Sequence, residues 1–272
     1  MSQERKPSPD ISVDVVIPVL NEAHVLERSI ATVRGFLRDN LSYRWKIVIV
    51  DNGSTDGTFK IASAIDSHHE DVEFIFLEER GRGRALRKAW QSSTADIVLY
   101  TDVDLSTELT ALPKVVNALV REDYDIAIGS RMTKGSQTKR SLKREITSRT
   151  YNFLLKCVFF TKFTDAQCGF KAVTRRVVDE IVPEVKDEYW FFDTELLILA
   201  EKRGFNIKDI PARWIEDDDS RVKLISDSWR MFRNVLRLRY SLTKDQLMNL
   251  RIFRGRKTSD DTAIEPVSNL PD

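Results

Sequence analysis

Asp102-Val103-Asp104 sets two carboxylates one residue apart at the end of an apolar run, Ala95 to Thr101. A run of that kind reads as a buried strand, and a strand that ends in acids carries charge to the edge of a sheet. Two hard oxygen ligands there suit Mg²⁺ or Mn²⁺, held partly by protein and partly by the phosphates of a substrate. The plain alternative is an acidic turn with no ligand, because short motifs of this type recur by chance. Asp51 ends a second such run, Lys46 to Asp51, and Glu22 follows a third, Val13 to Val19. Cys157 and Cys168 lack the spacing of a metal or redox pair and fit a reducing compartment. His24 stands alone and His68 and His69 are adjacent, so the histidines offer no metal cluster.

The elements that must position these acids alternate along the chain. Val13 to Val19 predicts a strand. Glu22 to Leu37 predicts a helix, with Val25, Leu26, Ile30, Val33 and Leu37 at helical spacing and Asn21 as its N-cap. Lys46 to Asp51 predicts a strand, stopped by the turn Asn52 to Gly57. A helix from Thr58, a strand over Val72–Leu77 and a helix opened by Gly81-Arg82-Gly83-Arg84 follow. After the strand leading to Asp102, a helix over Leu112–Arg121 and a strand over Asp125–Gly129 complete the series. This alternation implies an α/β fold with a mainly parallel central sheet and helices on both faces. Ligands bind such sheets at the carboxyl ends of strands. Pro18, Asn21, Glu22, Asp51, Gly81, Asp102 and Asp104 all fall at that edge.

Beyond Gly129 the pattern changes. Ser130 to Arg149 is polar and basic, and a helix is expected from Arg144 to Phe160. Cys168 to Val173 reads as a strand, Phe192 to Arg203 as a helix and Ile207 to Trp214 as a strand. Ile225 to Arg254 reads as mostly helical with a break near Thr243, making the carboxy-terminal helices amphipathic. Residues 1–12 and 258–272 are polar and expected to be disordered. With 43 basic and 42 acidic residues the formal charge is +1, so no global field argues for nucleic acid. Met1 to Asp10 has no apolar core of a secretory leader, and no stretch approaches the roughly 20 apolar residues of a spanning helix.

Val16-Ile-Pro-Val-Leu-Asn-Glu22, Val50-Asp-Asn-Gly-Ser-Thr-Asp-Gly57 and Thr101-Asp-Val-Asp-Leu-Ser106 occur in this order. Together they resemble the signature of family 2 glycosyltransferases, which have the GT-A nucleotide-sugar-binding fold. Gly129-Ser-Arg131, Gln167-Cys-Gly-Phe-Lys171 and Trp190-Phe-Phe-Asp-Thr-Glu-Leu196 narrow the likeness. They resemble the polyprenyl-phosphate (dolichyl-phosphate) sugar synthases, the glucosyl branch more than the mannosyl one. Two departures stand out. Position 52 is Asn where the family usually has a second Asp, and the carboxy-terminal membrane helices of many bacterial relatives are missing. The resemblance implies one catalytic domain over 13–240, with a nucleotide-sugar half to 129, an acceptor half from 130, and an amphipathic helix over 241–257.

The reaction so implied moves a hexose, with inversion, from UDP-glucose or GDP-mannose to a polyprenyl phosphate. Negative charge would grow on the departing diphosphate, and a divalent ion on Asp104, assisted by Asp102, would stabilise it. Asp51 and Glu22 would hold the nucleoside, with Pro18 and Asn21 shaping their loop. A phosphate monoester has a second pKa near ~6 and needs cations rather than a general base. Arg131, Arg144, Arg149, Arg221 and Lys223 are the acceptor-phosphate candidates, each with a surface ion pair as its alternative. Asp193 has three readings: orienting acceptor groups, acting as base for a hydroxyl acceptor, or capping the helix that follows. Gly81 to Arg84 reads as a flexible loop near the donor or as a simple turn.

Lys139 to Lys162 and Trp229 to Tyr240 interleave basic with large apolar residues. Such segments can lie in a lipid interface. The expectation is a peripheral protein on the cytoplasmic face of a membrane, attached by these segments or through a separate membrane-anchoring subunit. The competing readings are a family 2 transferase acting on a soluble or glycan hydroxyl, and a non-catalytic binding subunit for which Asn52 is the only hint.

Overall fold

Strands buried on both faces need unbroken β-branched runs, and this chain supplies them early and often. A computed structural model describes residues 10–139, 141–215 and 229–244. Its strands are β1 (Ser12–Val19), β2 (Arg44–Asn52), β3 (Val72–Leu77), β4 (Ile97–Thr101), β5 (Ile126–Ser130), β6 (Gln137–Lys139), β7 (Phe170–Thr174), β8 (Ile207–Pro211) and β9 (Arg213–Ile215). Between them lie α1 (Leu26–Asn40), α2 (Thr58–His68), α3 (Arg82–Ser92), α4 (Leu112–Arg121), α5 (Leu142–Phe159), α6 (Arg175–Glu180) and α7 (Phe192–Lys202). Seven strands form one sheet in the order β3-β2-β1-β4-β7-β5-β8, and β6 pairs with β9 in a second, two-stranded sheet. The central sheet is mainly parallel, as the alternation predicts. The exception is β7, which runs antiparallel to both β4 and β5.

Period-2 alternation inside β1 sends Val13, Val15, Ile17 and Val19 to one face. There they join Leu26, Ile30, Val33 and Leu37 of α1 and Leu112, Val115 and Leu119 of α4 in the main core cluster. Burying each such side chain is worth roughly 1.5–3 kcal/mol, so these helices are tied to the sheet by their apolar stripes. An aromatic group buried on α3, β4 and α7 is formed by Trp90, Tyr100 and Phe192, with ring centroids 6.0 Å and 5.8 Å from that of Trp90. Gly83 lets α3 and α7 meet, because a Cβ there would stand 2.6 Å from that of Phe192. This second packing brings α3 and α7 to one edge of the sheet.

Two local expectations change. Asn21 does not cap α1. The helix begins after Val25, and Asn21 sits in the left-handed region at φ 54° with its side chain turned to the neighbouring loop. The apolar run Ile207–Trp214 is two strands, because Pro211 has no N–H to continue a ladder and the chain turns at Ala212 onto β6. The compact unit that holds both sheets extends to Arg221, and a second unit starts at Val222. Within that second unit residues 229–244 are helical. The rest of the helix expected over 225–254, residues 1–9 and 258–272, Arg221 and Lys223 lie outside the described residues, while Ser12, expected in the disordered N-terminus, begins β1.

Candidate active site

The loops after β1 and β2 interlock through the hydroxyl and acidic side chains of Asn52 to Thr58. The Asn21 N–H donates to Ser54 Oγ at 2.8 Å, and its own Oδ1 accepts from the Thr55 N–H at 2.7 Å. The Glu22 N–H donates to Thr58 Oγ1 at 2.8 Å, and the Ala23 N–H to Asp56 Oδ2 at 3.2 Å. Asp51 lies at the floor of this arrangement, fully buried beside Val19 and Phe76 in the sheet register. Its Oδ1 accepts the Ser54 N–H at 2.9 Å, while Oδ2 is buried with no hydrogen-bond partner among the described residues. An unsatisfied buried carboxylate oxygen is costly, so this atom fits an incoming N–H donor. Asn52 accepts the Gly81 N–H at 2.5 Å and so joins the second loop to the start of α3.

Asp102 and Asp104 occupy the turn after β4. Asp104 is exposed and its Oδ1 accepts the Ser106 N–H at 3.0 Å. Asp102 is half-buried, and its Oδ1 accepts from Arg82 Nη2 at 2.7 Å. Its Oδ2 lies against the backbone of Gly169, where a Cβ would stand 1.8 Å away. Among the described residues no group of three or more His, Cys, Asp or Glu side chains is disposed to hold a metal. The donor set instead fits a hard cation whose remaining positions are filled by phosphate oxygens and water.

Behind this pair is a buried charge network that the sequence reading missed. Arg82, the first residue of α3, donates from Nη1 to Asp193 Oδ2 at 2.7 Å and from Nη2 to Asp102. Its guanidinium lies over the rings of Tyr100 and Trp190, 4.8 Å and 5.2 Å from their centroids. Asp193 Oδ1 accepts from the Tyr100 hydroxyl at 2.5 Å and lies 3.0 Å from Lys171 Nζ. Lys171 is fully buried in β7 and donates also to the Cys168 carbonyl at 2.5 Å. Burial works against the charge on Asp193, but Lys171 and Arg82 outweigh it and hold the carboxyl below its ordinary range. Burial likewise opposes the charge on Arg82, and Asp102 overcomes it. Burial and then the Asp193 charge push the Tyr100 hydroxyl well up. Asp193 is therefore no helix cap, and its oxygens are committed to Arg82, Tyr100 and Lys171. The α7 N-cap position is Phe191, with no side-chain cap. Gly81 to Arg84 is likewise the start of α3 rather than a free loop: Gly81 has φ 156°, and a Cβ there would stand 2.6 Å from the Glu188 carbonyl oxygen.

The acceptor candidates are less convergent. Arg131 follows β5 and grips fully buried Asp165 with Nε at 2.7 Å, Nη2 at 2.8 Å and its own N–H at 3.1 Å. Burial opposes the Asp165 charge, yet Arg131 keeps its carboxyl low. The guanidinium also lies 5.0 Å from the Trp214 ring centroid. Arg131 thus has Asp165 as its resident partner at the edge where the sequence reading gave it a phosphate. Arg144 and Arg149 both lie on α5, but five residues apart they project roughly 140° from each other. Arg149 is exposed and paired with Glu145 one turn earlier. Cys168 is buried, its thiol pushed up to about 12 by burial, and is a structural residue.

One signal in the sequence pointed to the network. Lys171 interrupts the apolar run Phe170 to Val173, and a lysine inside a buried strand demands an acid.

The parallel sheet, the alternating helices and the acidic edge define a GT-A-type α/β fold. The profile described as "Glycosyl transferase family 2" matches residues 14–182, and the chain belongs to that family of glycosyltransferases. It is similar to glycosyltransferase AglD of Haloferax volcanii, 31% identical over 249 residues that cover 88% of this chain and 39% of that protein. The chain therefore spans about two fifths of that relative's length. It is 30% identical over 260 residues to the dolichyl-phosphate beta-glucosyltransferase of Saccharomyces cerevisiae, covering 88% of this chain and 78% of the yeast protein. Among solved structures, glucosyl-3-phosphoglycerate synthase of Mycobacterium tuberculosis, in complex with Mn²⁺, UDP and glucosyl-3-phosphoglycerate, has the same fold. Its TM-score is 0.64 at 18% identity, with 85% of this chain and 79% of that one covered.

Proposed function

We propose that this protein transfers a hexose from a nucleoside-diphosphate sugar, UDP-glucose or GDP-mannose, to the phosphate of a polyprenyl carrier, with inversion. The state of Asp193 carries the choice of acceptor. A hydroxyl nucleophile needs a carboxylate to take its proton, and this one is buried among Tyr100, Lys171 and Arg82. A phosphate monoester is already a dianion near neutral pH. Its oxygen bonds to the anomeric carbon while the bond from that carbon to the diphosphate breaks, and the diphosphate leaves with the electron pair. No proton has to move. The likeness to dolichyl-phosphate beta-glucosyltransferases supports the same acceptor.

Donor binding falls to the loops after β1, β2 and β4. Asp51 Oδ2 suits the imide N–H of uracil or the N–H groups of guanine, and Glu22, Asn21 and Pro18 shape the wall beside it. Asp104 and Asp102 would hold Mg²⁺ or Mn²⁺, which supplies Lewis-acid stabilisation of the leaving diphosphate when bound. Arg82 adds fixed positive charge at the same place, and Gly81 brings it there.

Contact with a membrane surface is supported by α5. Leu142, Ile146 and Phe153 are exposed with a spacing that puts them on one stripe of the helix, and exposed Phe160 follows at its C-cap. Lys143, Arg149 and Lys156 are exposed on the same helix, and each basic residue near an anionic leaflet contributes roughly 1 kcal/mol. Among the described residues no helix is long and apolar enough to cross a membrane. The reading is a peripheral enzyme at the cytoplasmic face, where nucleotide sugars are found.

The test is to incubate the protein with Mg²⁺ or Mn²⁺, polyprenyl phosphate and radiolabelled UDP-glucose or GDP-mannose, then extract with organic solvent. Label in the lipid phase, alkali-stable as a β-linked phosphodiester, is expected. Label confined to water-soluble glycan would transfer the assignment to a hydroxyl acceptor.

A further inference from the structure

Asp102 has one oxygen hydrogen-bonded and the other closely confined before any ligand arrives. Arg82 Nη2 donates to Oδ1 at 2.7 Å, and Oδ2 is packed on the Gly169 backbone. The local charges also balance. Asp102 and Asp193 are two carboxylates, and Arg82 and Lys171 are the two cations that touch them among the described residues. A divalent ion brought to Asp102 alone would add two positive charges beside a buried guanidinium and gain only a carboxylate already shared. A diphosphate changes that balance, because its oxygens offer Arg82 a second anion and give the ion its remaining ligands.

We infer that Arg82 is a positioning residue, the resident counter-ion of Asp102, and that it makes capture of the divalent ion depend on the nucleotide diphosphate. This rests on the cation-binding role proposed above for Asp102 and Asp104. The geometry lets Arg82 exchange one partner without leaving. Nη1 stays on Asp193 at 2.7 Å, and the guanidinium also lies over the rings of Tyr100 and Trp190. Only Nη2 faces Asp102, so only that arm passes between carboxylate and phosphate. Asp193, Tyr100 and Lys171 act through Arg82, which explains a fully buried acid so near the catalytic edge. The coupling is reciprocal: the ion must strengthen nucleotide binding by the same factor as the nucleotide strengthens ion binding.

The experiment measures Mn²⁺ binding to the full chain by electron paramagnetic resonance of the free ion, with and without saturating UDP, subtracting the Mn²⁺–UDP complex formed in free solution. Wild type is expected to bind at least 10-fold more tightly with UDP. Arg82→Gln should bind Mn²⁺ alone at least 5-fold more tightly than wild type and lose most of the UDP enhancement. Arg82→Lys, which keeps the charge but has one ammonium for two carboxylates, should fall between Arg82→Gln and wild type. Mn²⁺ binding by Arg82→Gln that is unchanged or weaker overturns the inference, as does a gain equal in both variants. If Arg82→Gln fails to fold, wild type alone decides: Mn²⁺ affinity that UDP does not raise overturns it. Wild type that binds no Mn²⁺ even with UDP sinks the cation reading itself, and the inference with it. Bound Mn²⁺ with no effect of Arg82 removes the inference alone.

Discussion

Gly169 and Asp102 touch backbone to carboxylate, so closely that a Cβ on Gly169 would stand 1.8 Å from Asp102 Oδ2 and 2.8 Å from its Cγ. The carboxylate has little room to retreat, since its other oxygen is held by Arg82. Gly169→Ala should therefore displace Asp102 by an ångström or more. We expect kcat/KM to fall about 100-fold, equivalent to ~2.7 kcal/mol of lost transition-state stabilisation. A melting temperature lowered by only a few degrees would accompany it. Steady-state kinetics with retained activity near wild type would show that Asp102 need not stay where it is.

Asp104 is exposed, and its Oδ1 accepts the Ser106 N–H at 3.0 Å. An asparagine oxygen can do the same. Asp104→Asn should keep its melting temperature within about 2 °C and lose turnover by roughly 10²–10³-fold, the scale on which a misplaced charge-stabilising group acts. Chelation of wild type with EDTA should give a comparable loss, restored by Mn²⁺. Full activity in EDTA would contradict the proposed role of the acidic turn.

Asp193→Asn removes the carboxylate that pairs with buried Lys171. Removing one partner of a buried pair costs about 3–5 kcal/mol, and urea unfolding would read it. The pH dependence has a definite sign. Lys171 and Arg82 keep Asp193, and Arg131 keeps Asp165, below the unfolded aspartate value near ~3.9. The unfolded chain thus binds more protons in acid, and stability present above about pH 5 is lost as pH falls. The urea midpoint of wild type should drop steadily below that point, and less steeply in Asp193→Asn. Equal slopes would remove Asp193 from the acid-labile set.

Asn52→Asp restores the residue common in the family and keeps the acceptor that receives the Gly81 N–H. Turnover within about threefold of wild type is expected. A large gain would mean that Asn52 handicaps the site, and a large loss that the amide donor has a partner of its own.

Leu142 and Phe153 are exposed on α5. Serine at both should change stability by less than about 0.5 kcal/mol each. Co-sedimentation with vesicles of anionic lipid should fall several-fold, while turnover on a short-chain, water-soluble polyprenyl phosphate stays within twofold. Unaltered vesicle binding would assign the stripe no role at a membrane.

The first five strands were legible because each is an apolar run bounded by turn residues, and their parallel order follows from the helices between them. Asp51, Asp102 and Asp104 were placed at one edge by the same logic. What sequence could not give was direction and distance. The run Phe170 to Thr174 looks the same parallel or antiparallel, and only its place between β4 and β5 fixes which. Arg82 and Asp193 are 111 residues apart, so the contact that rules the site had no local signature. Asn21 carried the side chain of a helix cap but was drawn to Thr55, because the two loops share a set of hydroxyl and amide donors.

Reversal of β7 has a consequence for how the chain assembles. β4 and β5 are not neighbours; the strand between them belongs to the half that follows both. Until that late segment is made, the emerging sheet keeps two open edges, and closing them requires contacts far apart in sequence, which is slow. Severing the chain after residue 129 should accordingly yield no stable fragment. The segments before and after residue 129 share one sheet and so form a single cooperative unit, not two pieces that evolution or an engineer can exchange separately.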